Sequence, residues 1–117
     1  WSADIVVEGN YAYISNSGDN GLKIIDISTE TTPTEIGIYY DNYWMHDVVM
    51  IDGMPFVHVH GGIRAVDIGD PTQPQTLLSF SDSTSPTSGF MFYTGTYLLN
   101  NGGNAAEPQG PWILEVR

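Results

Sequence analysis

Three histidines and one aspartate stand close together in the middle of this 117-residue chain: His46, Asp47, His58 and His60. Imidazole nitrogens and carboxylate oxygens are ordinary ligands of Zn²⁺, and such a set with one position open can also serve a redox metal. The residues between them set the geometry. Asp52-Gly53 is a strong hairpin-turn signal, so the flanking segments pair antiparallel around it. Asp47 then faces His58, and His46 falls within one residue of facing His60. His58 and His60 share one side of their strand, because side chains alternate with period two. These four residues are the candidate site for a divalent metal. The competing reading is that they are polar side chains in cross-strand pairs, satisfied by the backbone.

The element that positions them is a repeat. Gly21-Leu22-Lys23-Ile24-Ile25-Asp26-Ile27-Ser28, with Pro33 beyond it, recurs 41 residues later as Gly62-Ile63-Arg64-Ala65-Val66-Asp67-Ile68-Gly69, with Pro74 beyond it. A looser third copy is Gly110-Pro111-Trp112-Ile113-Leu114-Glu115-Val116. Self-similarity at this period marks stacked supersecondary units. Short alternating segments, Gly- and Asn-rich turns and the scarcity of helical periodicity predict an all-β chain. Four antiparallel strands in each period is the size of a propeller blade. The units run over 1–43, 44–87 and 88–117, the last incomplete, which makes about two and a half blades in one continuous propeller-type domain. The first unit has Ala3, Ile14 and Asn16 where the second has histidines, so the blade itself does not demand them. Asp26, Asp67 and Glu115 share one repeated position and are expected to accept hydrogen bonds from turn amides. Trp1 and Trp44 each begin a unit and are expected to pack between units.

The segments GNYAYIS, GLKIIDIS and TTP, with their second copy GIRAVDIGDPTQP, resemble the LVIVD repeat family. The resemblance covers roughly residues 1–80 well and the third unit through its core strands. It implies blades of a β-propeller, in bacterial or archaeal proteins that are typically secreted or displayed at the cell surface. It implies no particular activity, because propellers host unrelated ones. Closed propellers have about 4–8 blades, and fewer than three cannot close a ring. The chain, which starts at Trp1 without Met, therefore reads as part of a longer propeller, with copies that complete one another as the alternative.

Composition narrows the partners. Three Lys+Arg against 14 Asp+Glu give a formal charge of −11, which repels phosphate backbones and anionic membrane surfaces. No apolar run is long enough to span a bilayer. With no cysteine, thiol chemistry and disulfides are excluded. There is no G-x-S-x-G and no glycine-rich phosphate loop opening a helix. The expectation is a noncatalytic extracellular module for binding or assembly, without a cofactor, whose partners are copies of itself or further blades. The alternative is a fragment of a metal-dependent propeller enzyme that uses the histidine cluster.

Overall fold

The computed structural model describes residues 3–18, 21–60, 62–81, 91–100 and 112–116. The chain opens with β1 (Ala3–Glu8), β2 (Tyr11–Asn16), β3 (Gly21–Asp26) and β4 (Thr34–Tyr40), paired in that order in one antiparallel sheet. β5 (Met45–Ile51), β6 (Met54–Val59), β7 (Gly62–Asp67) and β8 (Gln75–Ser81) repeat the arrangement. β9 (Met91–Tyr93), β10 (Tyr97–Asn100) and β11 (Trp112–Glu115) form a three-stranded third sheet. No helix occurs among the described residues. The all-β class and the propeller-like blades expected from the repeat are what the chain forms.

Local chemistry accounts for the strand boundaries. Asp52 and Gly53 both take positive φ, 50° and 76°, the pair of left-handed residues that matches a two-residue hairpin to strand twist. The repeat extends to irregularities. The β3–β4 ladder slips between Ile24 and Ile25, and the β7–β8 ladder slips between their equivalents, Ala65 and Val66. In each ladder the extra residue lies on the outer strand, Ile36 in β4 and Leu77 in β8, and such a bulge increases local twist. β3 and β7 keep their alternation, so Ile24 looks toward the following sheet and Val66 toward the preceding one. The aspartates ending β3 and β7 also behave alike. Asp26 accepts from the Ser28 N–H at 2.8 Å and Asp67 from the Gly69 N–H at 2.8 Å, as the shared position predicts.

The sheets stack. Tyr13, Leu22, Ile24 and Tyr39 of the first sheet close over Met45, Val48, Val57, Val59 and Val66 of the second. A smaller core joins the second sheet to the third through Ile51, Ile63, Met91 and Leu98. β1, β5 and β9 lie next to one another along the hub of this arrangement. Leu22 is fully buried at the larger junction, so Leu22→Ala should cost about 3 kcal/mol, read from chemical denaturation.

Close approach of backbone sets the spacing of the first two sheets. A Cβ on Gly37 of β4 would lie 2.1 Å from the carbonyl oxygen of Pro71, in the turn that leads to β8. The obstacle is backbone and cannot rotate aside. Gly37→Ala should therefore destabilise by about 1–3 kcal/mol through forced separation of the sheets, visible as a lowered melting temperature.

Trp44 corrects one expectation. It is 60% exposed at the rim, where it lines a shallow cavity of about 260 Å³ with Asn42, Tyr43 and His60. Packing between sheets falls instead to the aliphatic side chains of β5. Trp1 lies outside the described residues, as do Asp19, Asn20, Gly61, Gly89, Phe90 and the greater part of the connectors at Ser81–Ser88 and Asn100–Gln109.

Candidate functional site

β5 carries the chemistry-bearing residues to the middle of the stack. Its ladder with β6 pairs Met45 with Val59 and Asp47 with His58, so the sequence-based facing of Asp47 and His58 holds. His46 sits at the slip between those two pairs. The position facing His60 is Trp44, whose carbonyl accepts from the His60 N–H at 2.9 Å.

The four candidates part company in depth. His58 is fully buried, Asp47 is 4% exposed, His46 is half-buried and His60 is exposed at the rim. The rings of His46 and His58 approach with centroids 5.5 Å apart and planes tilted by 45°. Among the described residues, no three His, Asp or Glu side chains converge in a group that could hold a metal ion.

Asp47 engages the backbone of its neighbours. Its Oδ1 accepts from the Val48 N–H at 2.9 Å, and its Oδ2 accepts from the Met91 N–H at the start of β9. The Val48 N–H is shared with Oδ2 of Asp4 in β1, at 3.3 Å. Both contacts between sheets span 44 residues, aspartate to amide. Asp4 and Asp47 are equivalent in the repeat, as their cross-strand partners Ser15 and His58 confirm. The first strands of the first two sheets, β1 and β5, therefore each extend a carboxylate to the first strand of the next sheet.

Electrostatics follow from this crowding. Burial, first, and a hydrogen bond with the Asp4 carboxyl push the Asp47 carboxyl up to about 7. The Met91 and Val48 N–H groups act in the opposite sense, because they stabilise the anion. Asp47 therefore takes up and releases its proton near neutral pH. The sequence marked Asp47 but missed its partner. The available signal was the aspartate at the same place in both units, Trp1-Ser2-Ala3-Asp4 and Trp44-Met45-His46-Asp47.

A second polar junction lies nearer the periphery. Nε of Arg64 in β7 donates to Oδ2 of Asp41, just past β4, at 2.9 Å. The same guanidinium donates from Nη1 to the carbonyls of Ile63 and Phe80, at 3.2 and 3.4 Å. It also lies 6.0 Å from the centroid of the Tyr43 ring. Lys23 occupies the equivalent place in the first sheet.

Along the hub, the first strands leave an open groove of about 450 Å³, with Ile5, Val7, Met50 and Phe92 among its lining residues. Among the described residues no helix is long and apolar enough to cross a membrane. No curated protein and no solved structure matches the chain. A family model described as the LVIVD repeat matches residues 2–41, the full extent of the first sheet. The first sheet is thus similar to an LVIVD repeat, and the antiparallel four-stranded sheets of the chain are consistent with propeller-like blades.

Proposed function

We propose that this chain is a noncatalytic module for binding or assembly, acting outside the cell or at its surface, in which blades complete a larger stack. The observation that carries the reading is the apolar surface left on the outer sheets. Ile5 and Val7 of the first sheet are each 59% exposed, and Phe92 and Ile113 of the third are 67% and 60% exposed. Apolar residues clustered on sheet surfaces mark places where other structure packs. The extracellular setting accords with the usual occurrence of the repeat family and with the formal charge of −11.

Sedimentation velocity of the native protein, combined with its intact mass, tests the reading. A particle well above 12.8 kDa is the expected result, whether one longer polypeptide or several copies. A folded, monodisperse species of 12.8 kDa would remove it.

A further inference from the structure

The outer face of the first sheet repeats a surface that is already an interface in the second. Ile5 pairs with Ile14 as Val48 pairs with Val57, and these pairs are 43 residues apart in the repeat. In the second sheet Val48 is 3% exposed and Val57 is fully buried, both covered by the first sheet. Val66, the equivalent of Ile25, is covered in the same way. Ile5 keeps 59% of its surface exposed.

The polar half of the junction repeats as well. The Val48 N–H is directed to the Asp4 and Asp47 carboxylates and away from β6. The matching N–H of Ile5 thus lies on the side of β1 that faces away from β2, and β1 is the edge of its sheet. What the second and third sheets receive from a neighbour is an aspartate carboxylate on the amide of the first strand.

We propose that the outer face of the first sheet is the receiving half of the same joint, and that its occupant is a further blade of this repeat type bearing an aspartate at the Asp4/Asp47 position. That carboxylate would accept from the Ile5 N–H, while apolar side chains equivalent to Tyr13, Leu22 and Ile24 cover Ile5, Val7 and Ile14. The third sheet of a second copy is the poorer occupant, because the residue at the corresponding place in its unit is Phe90. A phenyl ring offers an amide no acceptor. The proposal rests on the reading that these sheets are stacking blades, and it adds the chemistry of the missing neighbour.

The test extends the full chain at its amino end with a duplicate of residues 1–43. The duplicate Asp4 then precedes Ile5 by 44 residues, the spacing of both existing joints. Amide hydrogen exchange at Ile5 should slow by about tenfold or more relative to the unextended chain. Hydroxyl-radical footprinting should show Ile5 and Val7 covered. Replacing only the duplicate aspartate, Asp4→Ala, should return Ile5 exchange to its fast rate while the side chains stay covered. Equal Ile5 exchange in the two extended chains, with coverage in both, would overturn the aspartate joint and leave the stacking reading intact. Absence of coverage in both would overturn stacking and the proposal together. A head-to-tail dimer of the unextended chain that covers Ile5 would overturn the choice of occupant.

A second measurement does not depend on the extension. In the unextended chain, Asp47→Ala should speed Met91 amide exchange by about tenfold, with Ile24 in the first sheet as the internal reference. An unchanged Met91 rate would show that the carboxylate is not what joins neighbouring first strands, and the proposal would fall.

Discussion

Arg64→Ala should lower the unfolding free energy by about 3–5 kcal/mol, because it strands the Asp41 carboxylate in a place built for a paired charge. The two side chains are 8% and 10% exposed, so water cannot readily replace the lost partner. Two backbone carbonyls, those of Ile63 and Phe80, lose a donor in the same step. Arg64→Lys should recover only part of the loss, since an ammonium cannot reproduce the planar fork of donors that serves Asp41 and both carbonyls. Denaturant titration of the three proteins checks the order: the original highest, lysine between, alanine lowest. Removing both members, Arg64→Met with Asp41→Leu, should cost less than Arg64→Ala alone, because no buried charge is left uncompensated.

Asp47 should make stability fall as pH rises, and Asp47→Asn should remove that dependence. The carboxyl lies at about 7 in the folded chain against 3.8 for an unperturbed aspartate, so folding takes up a proton between those values. Its contribution is fully present below about pH 4, declines through the window to about pH 7, and is gone above it. A shift of this size amounts to about 4 kcal/mol across the window. Asparagine keeps an oxygen to accept an N–H and has no proton to lose. The variant and the original should therefore unfold at similar temperatures at pH 4 and below, and the asparagine variant should be the more stable at pH 8. The general repulsion of an acidic chain also grows with pH, but it acts on both proteins, so their difference isolates Asp47. Parallel curves for the two would refute the assignment.

Much of this architecture is legible without coordinates because it is written twice. The 41-residue recurrence of the third strand, the Asp52-Gly53 turn and the proline after each aspartate fix strand number, pairing order and even the aspartate–turn contacts. The facing of Asp47 and His58 follows from the hairpin alone. What pattern could not supply is depth. His58 and His60 are two residues apart and nominally on one side of a strand, yet one is fully buried and the other is at the surface. The strand ends at Val59, and alternation has no meaning beyond it. The slip between Met45 and Asp47 likewise sets His46 out of register with the opposite strand. Trp44 misleads for a related reason: a matched residue just before a strand carries no instruction about which way it turns. The joint from Asp4 to Val48 and from Asp47 to Met91 depends on how one sheet leans against another, and no spacing within a single unit encodes that.

The order of the two cores has a consequence for how the molecule comes apart. One core joins the first sheet to the second and the other joins the second to the third, so cohesion is transmitted between consecutive units as along a row of dominoes. The third sheet, held by the smaller core, should detach before the first. Opening there leaves the larger core and its Arg64–Asp41 pair in place. Damage to the middle sheet removes the support of both neighbours at once. Heating should accordingly expose Leu98 and Met91 well before Leu22 and Ile24, and a substitution in β5 should erase that interval by bringing all three sheets down together.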